Sequence, residues 1–513
     1  MVDHKWIAGF GCLLFCGNIF AGEADKQPKT ISVRGQKVIR GSESREDWSE
    51  AGRRAIEASK KIPSFESRAK NVILFIGDGM GVSTVTAARI LEGQLKGNSG
   101  EENLLSFESF PHVALLKTYS ANQQVADSAP TMTAMVTGVK TKDGVLALDQ
   151  DAIRNDPTSA SGNQLKTILE QAEERGMSTG IVTTARVTHA TPAACYAHSP
   201  NRDWEVDSLL NEKAKKIGFP DIATQLIEFP FGDGPEVIFG GGRRFFLPRN
   251  MQDPEDPALF GARADGRDLT AEWIGKNENS KYVYNNVQFD AIEVKKIDHV
   301  LGLFDPSHME YEIDRALDKS GEPSLTQMTV KAIEILSRNP KGFFLMVEGG
   351  RIDHAHHMGN AYRALTETIE FSNAVRAALR MIDHETLVLV TADHSHALNI
   401  VGYSVRGNDI LGKVIQNDER GEASSDFTRD VTGRPFTALV YANGPGNVAN
   451  RTDLTEINTA APDYIQESAV PLVDATHSGE DVPVYATGNG SYLIHGVQEQ
   501  NYVYYAIAEA LGF

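Results

Sequence analysis

From residue 70 onward, short apolar runs alternate with stretches in which apolar residues recur every three to four positions. Runs of the first kind suit strands covered on both faces, and the second pattern suits helices with one buried stripe. The clearest strands are 71–76, 178–183, 343–347 and 386–391, and the clearest helices are 82–91, 129–136, 164–175, 325–338 and 362–379. This alternation predicts an α/β fold with a central, mostly parallel β-sheet flanked by helices. Ahead of it, 46–62 also reads as a helix, stopped by Pro63.

Two stretches interrupt the rhythm. Residues 243–325 are rich in Asp, Asn, Pro and Gly, and residues 401–468 are irregular and polar. Both read as accessory lobes inserted into a single domain spanning 47–513. At the N-terminus, Lys5 precedes an apolar run over 6–20 that ends at Ala21-Gly22. The run is too short to span a bilayer and predicts a signal peptide over 1–21, hence a secreted or periplasmic protein. Residues 22–46 are polar and of mixed charge, and read as a flexible lead-in.

Composition narrows the picture in three ways. Cys12 and Cys16 fall in the leader, so Cys195 stands alone in the mature chain and no intramolecular disulfide is expected. The C-terminus carries no long apolar tail, so no stable membrane anchor is expected either. The net charge of −19 argues against a protein that coats nucleic acid. It also means that an anionic substrate would need a local positive site, which metal ions can supply.

The chemistry lies where the strands end. Asn71-Val-Ile-Leu-Phe-Ile76 runs into Gly77-Asp78-Gly79, and Phe343-Phe-Leu-Met-Val347 runs into Glu348, Asp353, His354, His356 and His357. Thr386-Leu-Val-Leu-Val-Thr391 runs into Asp393, His394 and His396. In open α/β sheets, sites form in the crevice beyond the carboxyl ends of the strands. Carboxylates delivered there by three strands repel one another unless cations neutralise them. Asp353 and His357 are spaced i, i+4, so one helical turn presents both to one side. Histidine with carboxylate suits zinc, and an all-oxygen set suits magnesium. Asp78, between two glycines, has the backbone freedom to bridge two ions. Ser128, in Asp127-Ser128-Ala129-Pro130, opens a predicted helix; it reads either as a cap or as a nucleophile lying among free N–H groups where phosphate binds.

These motifs, together with Thr476-His477-Ser-Gly-Glu-Asp481, resemble those of the alkaline phosphatases, and of their animal-type branch in particular, from about Trp48 to the C-terminus. The resemblance implies hydrolysis of small phosphate monoesters through a transient phosphoserine on Ser128. It implies one zinc held by Asp353, His357 and His477, and a second held by Asp78, Asp393, His394 and Ser128. Magnesium would sit near Asp78, Thr191 and Glu348, and Arg202 would clamp the phosphate. Asp127, His189, His354 and His396 would act from behind the ligands. The branch also implies a calcium site, whose counterparts here are Glu255, Phe304 (through its carbonyl), Asp305 and Glu322; Asp305 and Glu322 exchange acidic types relative to the usual pattern. A homodimer is the family expectation. The leader and the missing anchor point to a bacterial secreted member. Pro130 and Met132 depart from the small and hydroxyl residues usual after the nucleophile. On the same fold, a diesterase, a phosphonate hydrolase or a sulfatase is an alternative, against which Arg202 favours a dianionic phosphate. A phosphate-binding scaffold or an adhesin would have no need of Ser128.

Overall fold

A computed structural model describes residues 29–40, 67–276, 278–446 and 451–513. The expected signal peptide and the expected helix over 46–62 lie outside the described residues. Ten strands form the central sheet in the spatial order Val497–Glu499, His112–Lys117, Val482–Thr487, Thr386–Thr391, Asn71–Gly77, Phe343–Gly349, Ser178–Arg186, Val237–Gly241, His299–Leu303 and Ser280–Val283. Neighbours run parallel, except that Val482–Thr487 is antiparallel to the strands on both its sides.

The three strands that carry the chemistry lie at or next to the middle of this sheet. Thr386–Thr391 and Phe343–Gly349 are buried at every position, and Asn71–Gly77 at every position after the first. Helices on both faces make this possible. Val82–Leu95, Leu325–Leu336 and Ala361–Leu379 pack together on one side, while Ser128–Thr137, Ile168–Glu174 and Tyr502–Leu511 pack on the other. Phe75, Phe344, Leu345, Val388 and Leu389 are wholly buried, each contributing about 1.5–3 kcal/mol through removal of its side chain from water.

Helix bounds follow the caps. The helix read over 164–175 is confined to Ile168–Glu174, because the Thr167 hydroxyl accepts the Glu170 N–H while the Glu170 carboxylate accepts the Thr167 N–H. Within the expected accessory insertion over 243–325, the strands Ser280–Val283 and His299–Leu303 extend the central sheet to its edge. The other expected lobe, over 401–468, contains the strand Leu439–Gly444, which forms a small sheet with Leu398–Ile400 and Ser468–Pro471. Residues 29–40 form a hairpin of Lys29–Val33 and Gln36–Arg40. It seats Val33 and Val38 against Val405, Ile415 and Phe427 of that lobe. The Gln36 amide bonds both backbone groups of Lys413, accepting from its N–H at 2.8 Å and donating to its carbonyl at 2.7 Å.

Candidate active site

Asp78, Glu348 and Asp393 leave the carboxyl ends of adjacent central strands, so sheet topology alone brings them together. Gly79, at φ +69°, turns the chain just after Asp78, and a Cβ there would lie 3.1 Å from Asp353 Oδ1. A two-residue antiparallel ladder pairs His396 with His477, which carries a residue from near the C-terminus into the same crevice.

Besides a group of Asp127, His394 and His477, three groups of atoms able to hold a metal result, the atoms of each lying within 4.8 Å of one another. The first contains Asp353, His357, His396 and His477. His357 Nδ1 lies 2.7 Å from the Ala475 carbonyl and His477 Nδ1 lies 3.0 Å from the Ala126 carbonyl. Each carbonyl fixes the proton on Nδ1 and leaves the Nε2 lone pair facing inward, an arrangement typical of metal-binding imidazoles. The two Nε2 atoms are 3.2 Å apart, and a cation between them relieves that approach. Desolvation alone would lower His357, but the Asp353 carboxylate lifts it to about 9.

The second group contains Asp78, Asp393 and His394, all fully buried. His394 Nε2 lies 3.4 Å from Asp78 Oδ1, 3.3 Å from Asp393 Oδ2 and 3.3 Å from Ser128 Oγ. Neither Asp78 oxygen nor Asp393 Oδ2 has a hydrogen-bond partner. Burial, then the charges of Asp393, Asp353 and Glu348, pushes the Asp78 carboxyl far above its ordinary range. The third group contains Asp78, His189 and Glu348, with the Thr191 hydroxyl and Glu348 Oε1 buried and unpartnered. Thr183 donates to the other Glu348 oxygen. Burial raises Glu348 to about 8. Buried carboxylate oxygens left without donors are costly unless a cation takes them. The residues present therefore fit two histidine-containing sites suited to zinc and one oxygen-rich site suited to magnesium.

Ser128 begins the helix Ser128–Thr137 and is buried, with Asp127 at the cap position. The Asp127 side chain makes no cap bond; both its oxygens accept from Arg202 Nη1, at 2.5 and 2.6 Å. Arg202 Nη2 lies 2.8 Å from His189 Nε2. Although desolvation opposes charge on both partners, the pair holds Asp127 ionised well below the usual carboxylate range.

The proposed calcium ligands are less closely gathered. Among the described residues, Glu255, Asp305 and Glu322 do not reach the mutual spacing of the three groups above. Glu255 Oε2 accepts from the wholly buried Arg243 at 2.5 Å, while its Oε1 is buried and unpartnered. Asp305 accepts from the Ser307 N–H and Glu322 from the Glu310 N–H. Phe304 is buried beside them in the chain. Another acidic group, Asp207, Asp221 and Asp265, surrounds Arg263 and the backbone beside it, so its charge is already matched.

Sequence reading missed His308. Its ring packs edge-on to His354 at 4.1 Å and to His189 at 5.4 Å, and Arg186 reaches its Nε2 at 2.5 Å. The signal was available, because His308 follows a strand end like the other site residues. It also missed the contacts of His356, whose nitrogens meet Thr84 and Tyr441.

Comparison with known proteins agrees with this geometry. Residues 69–513 match the family model described as alkaline phosphatase. The chain is 44% identical over 474 residues to the alkaline phosphatase of Gadus morhua, covering 90% of this chain and 96% of the relative. It is 46% identical over 453 residues to the tissue-nonspecific isozyme of Gallus gallus, covering 86% and 84%. Among solved structures, alkaline phosphatase from Thermus thermophilus superposes with a TM-score of 0.61 at 25% identity, covering 89% of this chain and 94% of that one. The enzyme of the Antarctic bacterium TAB5 shares the fold, with a TM-score of 0.59 at 23% identity over 87% of this chain and 99% of that one.

Proposed function

The chain belongs to the alkaline phosphatase family and is a phosphomonoester hydrolase, and from that premise we propose that it works through Ser128 with two zinc ions and one magnesium. The observation that carries this reading is the position of Ser128 Oγ, 3.3 Å from His394 Nε2, whose near neighbours Asp78 (both oxygens) and Asp393 Oδ2 are buried without a hydrogen-bond partner. The first zinc would be held by Asp353, His357 and His477, the second by Asp78, Asp393, His394 and Ser128, and magnesium by Asp78, Thr191 and Glu348. When bound, the metals would neutralise these carboxylates, ease deprotonation of Ser128 and water, and stabilise charge on the entering and leaving oxygens.

Ser128 releases its hydroxyl proton to solvent, and its Oγ attacks phosphorus opposite the alcohol oxygen. The Oγ–P bond forms as the P–O bond to the alcohol breaks, and the alcohol leaves with a proton from solvent. The helix N-terminus stabilises the phosphoryl oxygens through its free N–H groups, of which Pro130 removes one. Arg202 binds two non-reacting oxygens with its remaining donors, and Asp127 keeps its fork in place. Water then attacks the phosphoserine, releasing inorganic phosphate and restoring Ser128. Glu255, Asp305, Glu322 and the Phe304 carbonyl are proposed to hold calcium.

Steady-state turnover of an aryl phosphate, an aryl diester and an aryl sulfate tests the reading. We expect the monoester to be strongly preferred. Ser128→Ala should lower its turnover by at least about a thousandfold at an unchanged melting temperature, and chelation should abolish it until zinc and magnesium are restored. Preference for the diester or sulfate, or full activity in Ser128→Ala, would overturn it.

A further inference from the structure

The helix Arg351–His357 carries Asp353 and His357 of the first group, and His356, between them in the chain, is not a member of that group. His356 is fully buried, and both ring nitrogens are engaged. Nε2 lies 2.9 Å from the Thr84 hydroxyl and Nδ1 lies 2.7 Å from the Tyr441 hydroxyl. A neutral imidazole has one donor and one acceptor, so it satisfies one hydroxyl in each sense. The ring also stacks on His396, with centroids 5.1 Å apart and planes 30° apart. His396 Nε2 in turn lies 3.2 Å from Asp353 Oδ1.

Each partner belongs to a different ligand-bearing segment. Thr84 is in the first turn of the helix Val82–Leu95, five residues after Gly79 and six after Asp78 in a turn that Gly79 and Gly81 keep tight. Tyr441 lies on the lobe strand Leu439–Gly444 and pairs with Leu398, two residues beyond His396. One imidazole therefore joins the segments that deliver Asp78, Asp353 with His357, and His394 with His396.

We propose that His356 and Tyr441 are positioning residues that hold the zinc ligands in register and couple the 401–468 lobe to the metal centre. The inference rests on the metal centre proposed above. Neither side chain touches substrate. Their effect is on how firmly the ligands keep the metal, as partners behind metal ligands typically change affinity by about 10–100-fold.

The test is the rate at which zinc leaves the fully loaded protein for an excess of a coloured chelator, measured for wild type, Tyr441→Phe, His356→Gln and Tyr403→Ala. Tyr403 is on the same lobe but 92% exposed, so it serves as the control. We expect Tyr441→Phe to release zinc about tenfold faster than wild type, with a lower kcat at limiting zinc, recovery at excess zinc, and KM within about twofold. Tyr403→Ala should match wild type. Release from Tyr441→Phe within twofold of wild type overturns the proposal, whatever happens to its melting temperature. Should His356→Gln not fold, Tyr441→Phe still decides. A wild-type protein that takes up no zinc would instead refute the metal centre itself, so the two failures are distinguishable.

Discussion

Arg202 shows how one side chain serves two partners. Its Nη1 is committed to Asp127 and its Nη2 to His189, so only its remaining N–H groups are free for phosphate. On the proposed role of Arg202, the carboxylate would fix the orientation of the fork before phosphate arrives and so limit the rotamer entropy lost on binding. Replacing Arg202 by Ala removes charge-assisted bonds worth about 1.5–3 kcal/mol and should lower kcat/KM for an aryl phosphate by about 10–100-fold. Arg202→Lys should recover only part of that, because an ammonium cannot hold Asp127 and a phosphoryl oxygen in one plane. Equal kcat/KM for the Lys variant and the wild type would show that planarity is irrelevant here. Asp127 was placed behind the ligands only through the family resemblance; its bond to Arg202, 75 positions away, depends on tertiary structure that local pattern does not encode.

At the scale of elements, legibility followed range. The four strands read from continuous apolar runs are all present, because burial on both faces writes itself into consecutive residues. The helix starting at Ser128 was likewise readable from Asp-Ser-Ala-Pro. What escaped were short strands with mixed composition, such as Ser280–Val283 at the sheet edge, where only one neighbour and partial burial constrain the sequence. The hairpin over residues 29–40 escaped for a related reason: its two buried valines are matched by apolar residues nearly 400 positions away. The segment around Glu255, Asp305 and Glu322 lies in the stretch first read as an accessory lobe. Burial, then the Asp305 charge, pushes the Glu322 carboxyl up to about 9, and burial raises Glu255 to about 7. A calcium ion would relieve both, so calcium should raise the melting temperature of wild type. Binding at a hundredfold excess over Kd contributes about 2.7 kcal/mol. Glu322→Gln should lose that calcium-dependent gain, which thermal melts with and without calcium after chelation would show. An unchanged gain in Glu322→Gln would remove this residue from the site.

For the whole molecule, a protein of net charge −19 becomes still more negative in alkali, and two carboxyls at the amino-terminal side of the sheet sharpen the effect. Glu173 and Glu236 lie at opposite ends of the bonds made by Thr179. The Thr179 hydroxyl donates to Glu173 Oε1 at 2.5 Å, and its N–H donates to Glu236 Oε2 at 2.6 Å. Burial, then the Glu236 charge, raises Glu173 to about 8, and burial raises Glu236 to about 7. Both groups therefore bind protons more tightly in the folded chain than in the unfolded one, where glutamates titrate near their ordinary value of about 4.3. The unfolded chain holds fewer protons between that value and the folded pKa, so stability falls as pH rises through this window. The contribution is fully present below about pH 4 and is lost by about pH 8. Asp127 has the opposite sign, but its window lies at acid pH and does not offset this loss in alkali. Glu173→Gln keeps the acceptor for Thr179 and removes the proton. Its melting temperature at saturating zinc and magnesium should match wild type at pH 5 and exceed it by about 2 °C or more at pH 9. A difference that stays constant from pH 5 to pH 9 would place the effect of Glu173 in packing, and leave the alkaline sensitivity of the fold to the net charge alone.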